Sequence, residues 1–178
     1  LLLVFKEVLM RLQTLEDLMI LELGGLYSAE QQILALLPKM VDAAGARVVK
    51  DAFEEHLRVT RMQLERLDEV YRELGLTHDG QFCKGIQGII EEGGAMVRQE
   101  ADAVVRDAGL IGALQRVAHY EIAAYGTVRT YAKELGYATV EHLLQKTLDE
   151  EGASDKALTR IATGGLFGKG INQEARER

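Results

Sequence analysis

Glu30, His56, Glu121 and Glu151 each fall where the local pattern calls for an apolar side chain. Helical seams advance in alternating steps of three and four residues. One seam runs Leu23, Leu26, Glu30, Ile33, Leu37, Met40, and another Leu110, Leu114, Val117, Glu121, Ala124, Val128, Tyr131, Leu135. Each is a run of hydrocarbon broken by one glutamate. A third stretch places Phe53, Leu57, Leu64, Leu67, Tyr71 and Leu74 on one face, and His56, Thr60 and Gln63 fall in the same arc. A fourth carries Leu144, Leu148, Leu158 and Ala162, with Glu151 and Asp155 one helical turn apart inside that stripe.

A buried carboxylate without a partner is very costly. Several sharing one site repel until some are protonated. One or two divalent or trivalent cations remove both penalties, and carboxylates combined with imidazole suit iron, manganese or zinc. The candidate ligands are therefore Glu30, His56, Glu121, Glu151 and Asp155, with one or two iron atoms per chain as the expected load and manganese or zinc as alternatives. Thr60 and Gln63 are placed to support them by hydrogen bonds, and Tyr27, Tyr120 and Tyr125 lie within a turn of them. The competing reading is a metal-free hydrogen-bond network between His56 and the carboxylates that sets helix register. His119 is expected to bond a neighbouring helix or subunit, and Cys83 to be a packing or surface thiol, since no positioned base accompanies it. Arg66 and Glu150 are expected among the solvated charges.

These residues need long helices to hold them. The chain of 178 residues has one proline, Pro38, and no tryptophan, and Pro is the strongest helix breaker. Thr14 with Glu16 and Asp17 reads as a cap and acidic first turn of a helix reaching about Val41, kinked at Pro38. Ala43 to Ala46 forms a turn. A second helix spans about Val48 to Leu74 and stops at Gly75. Phe82 to about Ala103 is a weaker helical stretch diluted by glycine. Long helices follow over about Arg106–Leu135, stopped by Gly136, and Val140–Ala162, ended by Gly164-Gly165. The organisation expected is an amphipathic arm over 1–13, a bundle over 14–163 and a flexible tail over 164–178. Gly164 to Gly170 lacks the preceding strand and following helix pattern that a phosphate loop requires.

Four long helices with one long connection, Gly75 to Val105, between the second and third select the ferritin-like bundle over the up-down-up-down one. The predicted fold is all-α, a ferritin-like four-helix bundle whose crossover contains an additional helical segment. Residues equidistant from a hairpin turn share a height. Glu30 and His56 are both thirteen residues from Ala43, and Glu121 and Glu151 both fifteen from Gly136, so the polar groups are expected to converge.

A net charge of −7 argues against a general nucleic-acid partner. The apolar start Leu1 to Phe5 is interrupted by Lys6, Glu7 and Arg11, too soon for a membrane span. A single cysteine fits a reducing cytoplasmic setting. Long amphipathic helices and the apolar arm suggest a homodimer.

Four segments, Leu26 to Gln32, Phe53 to Leu57, Arg116 to Gly126 and Thr147 to Glu151, resemble the YciE/YciF group of ferritin-like proteins, in matching order across Thr14 to Ala162. The resemblance implies a ferritin-like bundle, metal binding, bacterial origin and a link to stress responses, without supplying a reaction. The wider di-iron pattern has one Glu on each of two helices and Glu-x-x-His on each of the other two. Here Phe53 stands three before His56, and Glu151 and Asp155 stand where Glu-x-x-His is expected. That departure bears more on oxygen activation than on metal binding. The activities in view are ferroxidase chemistry, peroxide handling or sequestration, against a non-catalytic structural or interaction dimer.

Overall fold

In a computed structural model of the chain, residues 12–78, 81–165 and 168–178 are described; the expected arm over 1–13 lies almost wholly outside them. The order is α1 (Leu15–Ala43), α2 (Arg47–Glu73), α3 (Lys84–Arg98), α4 (Ala103–Glu134), α5 (Ala138–Thr163), β1 (Gly164–Gly165), β2 (Gly168–Lys169) and α6 (Ile171–Arg176).

The local signals act as the sequence suggests. The Thr14 hydroxyl accepts from Asp17 N at 3.0 Å, and the Asp17 carboxylate accepts from Thr14 N at 2.9 Å, a reciprocal cap. Pro38 lies inside α1, which continues to Ala43. Gly75 and Gly136 take positive φ, 66° and 79°. Behind them Leu76 N donates to the Tyr71 carbonyl and Tyr137 N to the Ala132 carbonyl, both at 2.9 Å, closing two helices in the left-handed C-terminal manner that glycine permits.

α1, α2, α5 and α4 form the square of a four-helix bundle: α1 packs on α2, α2 on α5, α5 on α4 and α4 on α1. α3 sits in the long crossover and covers the α1–α4 side, where Gly93 admits Leu36. The crossover stretch breaks at Gln99, and α4 begins earlier than expected because the Asp102 carboxylate accepts from Val104 N at 3.0 Å.

One turn is held from outside its hairpin. Asp107, fully buried on α4, accepts from Gly45 N at 2.8 Å and Ala46 N at 2.7 Å, tying the α1–α2 turn to the bundle. Asp107→Asn retains one acceptor and presents an N–H to the other donor, so it is expected to lower stability by about 2 kcal/mol in denaturant unfolding.

Within the segment expected as a flexible tail over 164–178, the described residues form β1, β2 and α6. β1 and β2 pair antiparallel, and α6 packs on α4 and α5 with Ile171 buried. A Cβ on Gly170 would approach Gly164 N to 2.2 Å, so this hairpin closes only with glycine there. A six-residue helix with one buried apolar anchor carries no legible periodicity.

Candidate metal centre

The apolar core is two clusters. One contains Ile33, Leu37, Phe53, Leu110 and Leu114, and the other Leu23, Leu67, Tyr125, Val128 and Leu144. A polar layer lies between them: Glu30, His56, Thr60, Gln63, Glu121, Thr147 and Glu151, all at most 3% exposed. Each long helix contributes to it, because each seam carries its polar residue at mid-height.

His56, Glu121 and Glu151 offer ligand atoms that all lie within 4.8 Å of one another. Gln63 Nε2 donates to Glu151 Oε1 at 2.7 Å, the support expected of it. Thr60 does otherwise: its hydroxyl returns to the His56 carbonyl at 2.9 Å. His56 Nδ1 meets Ser154 Oγ at 2.9 Å. With Nδ1–H donating to Ser154, Nε2 keeps its lone pair for a cation. Ser154 was not singled out from sequence, although it lies three residues after Glu151 and so shares its face.

Glu30 adjoins this trio through Glu121. Tyr125 Oη donates to Glu30 Oε1 at 2.5 Å, and the Glu30 carboxylate also interacts with Glu121. The first turn sets Glu30 and His56 at different heights. α1 ends at Ala43 and α2 begins at Arg47, so the hairpin is symmetric about Gly45, and Glu30 is level with Thr60 while His56 stands one turn nearer the turn. The α4–α5 hairpin does turn at Gly136, keeping Glu121 and Glu151 level.

Asp155 is not brought into the group. Its carboxylate accepts from Gln115 Nε2 at 3.0 Å and lies 3.3 Å from His119 Nε2. Those two α4 residues hold it one turn away from Glu151, and His119 thereby makes the interhelical contact expected of it. Arg66 and Glu150 also depart from expectation. Arg66 is buried, forks onto both Glu150 oxygens at 2.8 and 2.9 Å, and donates to Thr147 Oγ1 at 2.6 Å. Their pairing across α2–α5 depends on the approach of two helices distant in sequence. Cys83 is a buried packing thiol, its Sγ 2.8 Å from Tyr120 Oη.

Electrostatics mark the layer as strained in its ionised form. Burial is the main cause that raises Glu30 to about 8, against the lowering effect of the Tyr125 hydrogen bond, and Glu151 raises it further. Burial, then the charges of Glu151 and Glu30, push Glu121 well above the usual carboxylate range. Burial holds His56 below its ordinary value, partly offset by Glu151. Glu30 Oε2, His56 Nε2, both Glu121 oxygens and Glu151 Oε2 are buried without a hydrogen-bond partner when the carboxylates are ionised. Either protons shared between carboxylates or a cation satisfies them. This donor set, one imidazole and three carboxylates, fits a first-row transition metal.

An all-helical square with a helix-bearing crossover and a carboxylate/histidine layer at mid-height defines a ferritin-like four-helix-bundle protein. Over residues 14–176 the chain matches the family described as a domain of unknown function, DUF892, and it belongs to that family. It is 40% identical over 165 residues to protein YciF of Escherichia coli strain K12, covering 92% of this chain and 99% of that protein. The crystal structure of that E. coli stress protein superposes with a TM-score of 0.82, covering 84% of this chain and 95% of that one. YcfI from Rhodopseudomonas palustris, provisionally described as a structural protein, is 41% identical with a TM-score of 0.81, covering 84% of this chain and 96% of that one. Among the described residues no helix is long and apolar enough to cross a membrane.

Proposed function

We propose that this chain is a metal-binding protein of the cytoplasm whose carboxylate/histidine centre holds one or two iron ions. Manganese or zinc would suit the same donors. The observation that carries this reading is the group of unpartnered donor atoms on Glu30, His56, Glu121 and Glu151, buried between two apolar clusters. His56, Glu121 and Glu151 would hold the metal first, and Glu30, steadied by Tyr125, would complete or bridge the set. Bound iron would supply one-electron redox chemistry, as in ferrous oxidation or peroxide removal during stress, while the bundle excludes bulk water and fixes the donors. A homodimer of such bundles is part of the proposal.

The test is elemental mass spectrometry on protein grown with added iron and purified without affinity metal. One or two iron atoms per chain are expected, and fewer than a tenth of that in Glu30→Ala/Glu121→Ala. A folded native chain with no transition metal would sink the reading.

A second reading has its own support. Carboxylates raised by burial can share protons, and one relative is provisionally described as structural. Under it the layer sets helix register in an interaction protein, and Glu121→Ala changes stability alone.

A further inference from the structure

The α2–α5 side of the bundle differs from the others. α3 lies over α1 and α4, and α6 over α4 and α5, whereas among the described elements α2 packs chiefly against α1 and α5. Between α2 and α5 lies a cavity of about 380 Å³. Its walls are apolar and mostly small: Ala52, Val59 and Met62 on α2, and Ala153, Ala157 and Leu158 on α5. Alanines on both helices leave it open, and Leu158 in its lining is buried.

The inner wall is polar. His56 and Ser154 line the cavity, joined by their 2.9 Å hydrogen bond. His56 is 3% exposed, and its Nε2 has no hydrogen-bond partner. The imidazole therefore stands between the cavity and the carboxylates, with Nδ1 bonded within the cavity wall. The rim carries Glu55, Arg58 and Glu150. Arg58 donates to both Glu55 oxygens and reaches the Met62 sulfur at 3.2 Å, and Glu150 is neutralised by Arg66.

We infer that this cavity is a binding site for a small neutral phenol, its ring among the α2 and α5 alanines and its hydroxyl on the Ser154–His56 pair. Neutrality follows from the rim, where each charge already has an opposite partner, so an anion or cation would gain no free counter-charge. The volume admits a single-ring molecule with room to spare. The Met62 thioether and His56 imidazole in the walls, with the Arg58 guanidinium at the rim, favour an aromatic ring over a saturated one. A second protein copy fits less well. Among the described residues, the large exposed apolar side chains that anchor such contacts, Leu12, Leu15, Val48, Phe82 and Val105, do not line this cavity. Binding itself needs no metal; only its consequence, an organic molecule against the outer edge of a ligand ring, rests on the proposed function.

The experiment uses the full chain stripped of metal with EDTA, ¹³C-labelled at histidine and ¹⁵N-labelled throughout. NMR titration with p-cresol is expected to shift the His56 ring and the amides around Ser154 and Ala157, with a Kd of about 1 mM or tighter for a ligand of this size. Cyclohexanol should bind several-fold more weakly. Ala157→Leu and Ala52→Leu, which fill the cavity from opposite walls, should each weaken p-cresol at least tenfold, with helical content by circular dichroism unchanged. If one variant fails to fold, the other carries the comparison. Shifts scattered over the surface, or unaltered in a folded filled variant, would overturn the inference. So would light scattering showing a dimer that Ala157→Leu converts to monomer, since a second copy would then occupy the cavity. Because metal is removed, loss of the phenol site leaves the metal-content result standing, and a chain that takes up no metal can still bind the phenol.

Discussion

Glu121→Gln is expected to abolish metal retention and, at pH 8 without metal, to leave the protein more stable than the unsubstituted chain. Both Glu121 oxygens are buried without hydrogen-bond partners, and Glu30 and Glu151 each present an unpartnered oxygen in the same layer. Gln keeps the shape, stays neutral without holding a proton that the unfolded chain has already released at pH 8, and brings an amide that can donate to those neighbours. Relief of one unsatisfied buried group is worth about 1–3 kcal/mol. The same change removes a charged ligand from the centre of the donor set, so affinity for ferrous or manganous ion should fall at least about a hundredfold. Thermal unfolding with and without EDTA, paired with metal analysis, reads both effects. A destabilised metal-free Glu121→Gln protein would mean that the Glu121 carboxyl makes stabilising contacts in the layer that an amide cannot replace.

Without metal, the native chain should lose stability steadily as pH rises from 6.5 to 8. Glu30 sits near 8 in the fold against an ordinary 4.5, and Glu121 too is raised well above it. Between 4.5 and 8 the unfolded chain releases these protons while the folded chain keeps them, so their stabilising contribution is full below 4.5 and is lost as pH climbs through the folded values. Each retained proton contributes a slope of about 1.4 kcal/mol per pH unit. His56 acts in the opposite sense, since its lowered value costs stability as pH drops below 6.5, which makes 6.5 to 8 the window where the glutamates act without it. Metal requires the deprotonated ligands. A loaded protein should therefore show little of this loss, and the gap in Tm between loaded and metal-free forms should widen with pH. Tm measured every half unit in chelator, and again with saturating ferrous or manganous ion under exclusion of oxygen, tests both trends. A flat metal-free profile across this window would count against shared protons on Glu30 and Glu121.

The places where local chemistry decides were legible in the chain. Thr14 and Asp17 cap α1, glycines at 75 and 136 end α2 and α4, and seam periodicity put Glu30, His56, Glu121 and Glu151 inside. Each depends on a few consecutive residues or on the 100° advance of a helix. The ferritin-like topology followed from one connection too long for a tight turn, and four motifs in order pointed to the family.

Tertiary structure decided what depends on distance between helices. Asp155 had the right face and spacing, but Gln115 and His119 hold it apart from the cluster. Arg66 and Glu150 looked like solvated charges until α2 and α5 came together around them. Asp107 gave no local sign that it would fasten a turn some sixty residues earlier, and α6 none that it would dock. Periodicity tells which side of a helix is buried, because that is a property of the helix alone. Which buried groups then meet depends on the height and rotation of its neighbours. Here a two-residue displacement of the first turn, from Ala43 to Gly45, puts Glu30 level with Thr60 rather than with His56; His56 meets Glu121 and Glu151, and Glu30 bonds Tyr125.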